Sequence, residues 1–248
     1  MNRHMYDALA PEIASRGFKV VTVDLVGHGA SDRPEDVRSH SMTIYADLVA
    51  ELIEHLGLDR PVVGGTSLGA NVSLELAYNH PDSTRGLMIE MPVLEHAITA
   101  VGVIFLPVML GLQLAAPALR ALAAVTRRIP RTNYLVDIGL DWVRQEPDPS
   151  LAVLRGLMFG EIGPTRTQRR EIQQPALVIG HHNDPLHPFS DSGTVAEELP
   201  GARLVEATSI VEWRLNPGRL NEELAAFLAD CYAEPGAVDA AESRSSAA

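Results

Sequence analysis

From position 62 the chain reads Val62-Val63-Gly64-Gly65-Thr66-Ser67-Leu68-Gly69-Ala70-Asn71, an apolar β-branched run that passes through Gly-x-Ser-x-Gly into a helical pattern. Few ten-residue stretches restrict a fold more. The change from a period of 2 to one of 3.6 takes place inside a turn so tight that its serine must adopt strained backbone geometry. Gly65 and Gly69, two positions either side of Ser67, are expected to lack side chains so that strand and helix can approach. Such a turn lifts the Ser67 hydroxyl above the edge of a sheet and points a helix N-terminus at it. The backbone N–H of Leu68 is then placed to stabilise an oxyanion.

The rest of the chain repeats the strand–helix theme. Short apolar runs at 19–25, 62–64, 86–91, 176–180 and 202–206 alternate with helical patterns at 5–16, 42–56, 68–79, 190–199 and 217–233. That alternation predicts a mostly parallel sheet covered by helices on both faces, an α/β three-layer sandwich. With 248 residues, 46% of them hydrophobic, the chain can bury the core of one domain carrying an insertion. A formal charge of −12 argues against nucleic acid and against anionic lipid, and leaves a small, neutral or apolar molecule as the expected partner. The single cysteine, Cys231, excludes a disulfide framework and a cysteine metal site, and reads as a half-buried thiol. The first residues lack the apolar stretch of a secretory signal, so a cytoplasmic location is the default. The tail 235–248, rich in Ala, Ser and charge, is expected to be disordered.

Residues 97–119 carry no charge at all, which raises the question of a membrane span. Pro107, Gly111, Gln113 and Pro117 interrupt the stretch, and it lies inside the α/β alternation, where a span would split one sheet in two. It is therefore read as part of a helical cap, 94–169, inserted in a core of 1–93 and 170–234. A membrane-surface contact through this apolar cap is the weaker reading.

Three motifs make the chain resemble the α/β-hydrolase superfamily of esterase- and lipase-like serine hydrolases. The elbow around Ser67 is one. Asp24-Leu25-Val26-Gly27-His28-Gly29-Ala30-Ser31 resembles the loop after the family's fourth strand, and 176–180 followed by Asn183-Asp184-Pro185 resembles its seventh strand and acid-bearing loop. The cap falls where this family inserts its lid. The resemblance implies a serine nucleophile at Ser67 and an acid at Asp184 that orients a histidine base, cleaving carboxylic esters through an acyl-enzyme. It calls for no cofactor and no metal.

Two departures stand against it. The family's histidine follows its eighth strand, but 207–214 contain none, and no histidine occurs after His187. Of His181, His182 and His187, which flank Asp184, His187 is the best substitute: a turn could bring its ring near both Asp184 and Ser67. A surface-loop histidine or a structural hydrogen bond is the bland alternative. This histidine cluster matches no strong metal-ligand spacing. Glu90, at a strand end, is a weaker candidate acid, and His28 is expected to be structural.

The second departure is at the front, where the family's first three strands are absent and the fold is expected to be N-terminally truncated. This leaves 19–25 and 62–65 as facing, unpaired edges. Either the two strands close up and pair, or the reading frame begins upstream, which is the favoured expectation. The leading functional expectation is a serine hydrolase of a small apolar ester, its acyl pocket lined by the uncharged cap. The alternative is a non-catalytic ligand-binding or regulatory protein that kept the fold and lost its triad. Substrate identity and oligomeric state are not legible.

Overall fold

The computed structural model of the chain describes residues 2–130 and 134–233; the expected disordered tail lies outside them. Four parallel strands, β1 (Val62–Thr66), β2 (Gly86–Glu90), β3 (Ala176–His181) and β4 (Ala202–Ala207), lie side by side in chain order. Between and around them run α1 (Leu9–Ser15), α2 (Met42–His55), α3 (Leu68–Asn79), α4 (Ile98–Leu114), α5 (Ala116–Thr126), α6 (Tyr134–Val143), α7 (Pro147–Phe159), α8 (Arg166–Arg169), α9 (Phe189–Glu198), α10 (Glu212–Leu215) and α11 (Gly218–Tyr232). The expected helix 5–16 is broken: a short 3-10 turn, Arg3–Tyr6, precedes α1.

The central strands are apolar without interruption because both their faces are covered. Met88, Leu177 and Ile179 pack with Ile13 of α1 and with Leu220, Leu224 and Phe227 of α11. Their neighbours Leu87, Ile89, Ala176 and Val178 point the other way, onto Ala70, Leu74 and Ala77 of α3 and Val195 of α9. Helices α3 and α9 thus share one face of the sheet.

The expectation for 19–25 fails. Among the described residues this segment pairs with no strand, and Val20, Val21 and Val23 are 38–43% exposed. The two facing edges therefore do not close up, and β1 is an edge strand. The cost anticipated for its open side is met in part by side chains: the Val62 N–H donates to the Tyr232 hydroxyl (3.3 Å) and the Thr66 N–H to the Tyr6 hydroxyl (3.0 Å). Exposed Gly64 between them is left to solvent. Further along, Leu25 and Val26 do pack, against Met42, Tyr45 and Val72.

The segment between β2 and β3 is helical, α4 to α8. Helix α4 is apolar all round yet only Met109 of it is buried, and Val103, Leu106, Leu110 and Leu114 form an exposed stripe at helical spacing. No single helix among the described residues is long and apolar enough to cross a membrane; α4 and α5 meet at 93°. Helix α7 seats the insertion on the core: Gly156 lies so close that a Cβ there would come within 2.2 Å of the His40 carbonyl oxygen.

Candidate active site

The local geometry around Ser67 follows from its neighbours. Ser67 sits at φ 54° and ψ −111°, a conformation a side-chain-bearing residue adopts only under constraint. The constraint is visible: its N–H donates to the Glu90 carbonyl (2.8 Å), and its carbonyl receives the Asn71 N–H (3.1 Å), the first turn of α3. A Cβ on Gly65 would lie 2.7 Å from the Gly69 Cα, so the glycine is obligatory there. The same expectation for Gly69 is corrected, since a Cβ on it would meet nothing within 4 Å. Leu68 opens α3, and its N–H is one of the first-turn donors that have no acceptor within the helix. Met91 and Asn183, just past β2 and β3, also have positive φ (52° and 60°), so three strand ends at this edge carry left-handed residues.

The loop after β3 supplies the other two groups. Asp184 folds a tight turn: its Oδ1 accepts the backbone N–H of Leu186 (2.8 Å) and of His187 (3.0 Å). Its Oδ2 faces His187 Nδ1 at 2.9 Å, and His187 Nε2 lies 2.8 Å from Ser67 Oγ. Both side chains are about nine-tenths covered. Burial raises the Asp184 pKa, but the bonds from the His187 ring and from the two backbone N–H groups outweigh it and hold the carboxyl below its usual range. An ionised Asp184 fixes the proton of His187 on Nδ1 and leaves Nε2 free to take one from Ser67. The three candidates Ser67, Asp184 and His187 are thus brought together, by a histidine three residues from its acid.

The other candidates are placed elsewhere. His182 is exposed, stacks on Phe189 at 4.1 Å and faces Glu206 (3.2 Å). His28 bonds the Val26 carbonyl through Nδ1 (3.1 Å), and burial pushes its pKa down to about 4. Glu90 is engaged by other partners than His187. Its buried carboxylate accepts from Thr66 Oγ1, Arg214 Nη2 (2.8 Å) and His181 Nε2 (3.2 Å). His181, fully buried, also meets the Ser209 carbonyl through Nδ1 (2.8 Å). Both ring nitrogens face acceptors without hydrogens, so both must donate and the ring is an imidazolium. Its pKa is raised accordingly, desolvation being outweighed by Glu90 and Ser209, and that of Glu90 is lowered, its own desolvation outweighed by His181, Arg214 and Thr66.

Of this cluster at the ends of β1, β2 and β3, the sequence offers Glu90 and His181 as separate candidates but not their pairing. Arg214, in the stretch where a histidine was sought, was the one available signal. A cavity of about 550 Å³ lies by the 24–33 loop and the insertion, lined by Arg3, Asp24, Arg33, Arg127, Arg144 and Glu146 among others. Ser67 and His187 are not in its walls.

The fold and this serine-centred edge define a class, and the chain belongs to it: the alpha/beta hydrolase fold family, whose model matches residues 1–208. Within that family it is 26% identical over 204 residues to the 2-hydroxymuconate semialdehyde hydrolase of Pseudomonas putida, a match that covers 77% of this chain and 69% of that protein. In structure it is similar to an esterase from Exiguobacterium antarcticum (TM-score 0.72, 16% identity, 92% of this chain and 87% of that one). It is also similar to the enol-lactonase of Burkholderia xenovorans LB400 (TM-score 0.69, 21% identity, 92% and 86%). At these identities the structural likeness speaks for the fold.

Proposed function

We propose that the chain is a serine hydrolase that cleaves a carboxylic ester, or a related acyl bond, of a small and mostly apolar substrate. The observation that carries this reading is the His187 ring, which bridges Asp184 (2.9 Å) and Ser67 Oγ (2.8 Å). Ser67 Oγ attacks the acyl carbon as its proton passes to His187 Nε2. The negative oxygen that forms is met by the N–H of Leu68 at the start of α3. Collapse of the tetrahedral intermediate breaks the bond to the leaving group, which takes the proton back from His187. Water, deprotonated by the same nitrogen, then releases the acyl group as a carboxylic acid. Asp184 holds the ring and stabilises its cationic form.

The relative named as a 2-hydroxymuconate semialdehyde hydrolase supports hydrolytic chemistry on a small substrate. The competing reading, a binding protein that lost its triad, rests on the histidine missing after β4 and on the missing first strands. His187 supplies a ring within hydrogen-bonding distance of the serine, so the hydrolase is preferred. The test is p-nitrophenyl ester turnover together with covalent labelling by a fluorophosphonate. Labelling should vanish in Ser67→Ala, and turnover should fall by about 10⁴-fold or more in His187→Ala. A folded wild-type protein that neither turns over the ester nor takes the label would sink the reading.

A further inference from the structure

His187 reaches Ser67 from an unusual support: the seven residues 182–188 that join β3 to α9. The serine is carried by α3 and the histidine by a loop that runs straight into α9, so the relative seating of these two helices sets the distance between Oγ and Nε2. On their shared face of the sheet, a chain of hydrogen bonds between them runs through residues 91–97, the neck that leads from β2 to the helical insertion.

Asn71, four residues past the serine and 1% exposed, accepts the Val93 N–H through Oδ1 (2.9 Å) and donates to the Val93 carbonyl through Nδ2 (2.7 Å). The next residue, Leu94, donates its N–H to Asp191 Oδ2 at 2.7 Å. Asp191 lies on α9, four residues past the histidine, and is fully buried. It also receives the N–H of Ala97 (3.1 Å) and, on Oδ1, the N–H and the ring Nδ1 of His96 (3.2 and 2.7 Å). The buried Leu94 side chain packs in one cluster with Ala70 and Leu74 of α3 and Val195 of α9. Two adjacent neck residues thus tie a side chain four positions beyond Ser67 to a side chain four positions beyond His187.

The geometry points to Asn71 and Asp191 as a pair of positioning residues that use the neck of the insertion to hold the base in register with the nucleophile. The proposal rests on the hydrolase reading above. Neither side chain bonds Ser67 Oγ or the His187 ring, so neither is catalytic. The neck is accordingly a strut, and the insertion sets the triad's alignment as well as whatever it covers.

The experiment is a double-mutant cycle in the full chain, with p-nitrophenyl acetate as substrate. Asp191→Asn keeps the volume and one acceptor oxygen; Asn71→Ser removes the grip on Val93. Each is expected to lower kcat by about 10–100-fold, the size of effect that roughly 1 Å of misplacement produces, with KM within about twofold of wild type. Because both break one bridge, the double variant should lose little more than the worse single one. Glu197→Gln, exposed on α9 and outside the bridge, should turn over like wild type. Unchanged kcat in the two folded single variants, or losses that multiply in the double variant, would overturn the proposal. If Asn71→Ser does not fold, the split between kcat and KM in Asp191→Asn decides alone. Loss of turnover and of fluorophosphonate labelling in the wild type would instead defeat the hydrolase reading, and this proposal with it.

Discussion

Asp184 and His187 are three residues apart, and that spacing makes them one local unit rather than two long-range partners. The turn is closed by two backbone N–H groups on Oδ1, which leaves Oδ2 for the ring. An asparagine at 184 can keep the turn with its own oxygen while presenting NH2 to His187 Nδ1, which forces the wrong tautomer. Asp184→Asn should therefore fold normally and lose about 10⁴-fold in kcat on a p-nitrophenyl ester. The two glycines of the elbow separate just as cleanly. Gly65→Ala drives a methyl into the Gly69 backbone at 2.7 Å, and thermal unfolding should show a loss of about 1–3 kcal/mol together with reduced turnover. Gly69→Ala meets open space and should differ from wild type by well under 1 kcal/mol. Gly-x-Ser-x-Gly is legible in the sequence, but which of its glycines is obligatory depends on what the backbone packs against.

Among the elements, the insertion is held where the chain returns to the core too, at α8. Arg169 of α8, 2% exposed, donates to Glu198 of α9 (2.5 Å), to the Pro164 carbonyl (2.8 Å) and to Glu95 (3.0 Å). Glu198 is as deeply buried, with the exposed Arg166 as its other partner at 2.6 Å. Arg169→Met should cost about 3 kcal/mol, at the lower end for breaking a buried pair because Arg166 remains; urea unfolding measures it. The strand–helix order was legible because period and apolar runs are local properties. The failure at 19–25 has the same root: a β-branched run states that a segment can be extended, and only a neighbouring strand makes it part of a sheet. Tyr6 and Tyr232, which cap the open edge of β1, give no such signal in the sequence.

At the scale of the whole molecule, the Glu90–His181–Arg214 cluster joins the ends of three strands to the segment after β4. Its pH dependence has a definite sign. His181 has a raised pKa in the fold, so its contribution is complete below about 6.5, the value for an unfolded histidine, and is lost as pH rises through the folded value. Glu90 has a lowered one, so its contribution is present above about 4.3 and is lost as pH falls through the folded value. The difference in unfolding temperature between wild type and His181→Gln should accordingly be largest near pH 6 and shrink toward pH 9. His28 acts in the opposite sense. Held neutral by burial down to about pH 4, it should make the wild type progressively less stable as pH drops from about 6.5, and His28→Asn should flatten that slope.

By itself, the order of residues determined most of the alternation of strands and helices and the acid turn at Asp184, whose bonds reach only two and three residues on, and it marked the turn at Ser67 that the Glu90 carbonyl then holds. It also offered His187 as a candidate without saying where the ring would lie. That 2.8 Å contact with Ser67 spans 120 residues of chain, and so do its supports, from Asn71 through Val93 and Leu94 to Asp191. Contacts of that separation are set by how α3, the neck and α9 pack on one face of the sheet. Packing of that kind belongs to the tertiary structure, because no local pattern specifies the distance between two side chains on different elements.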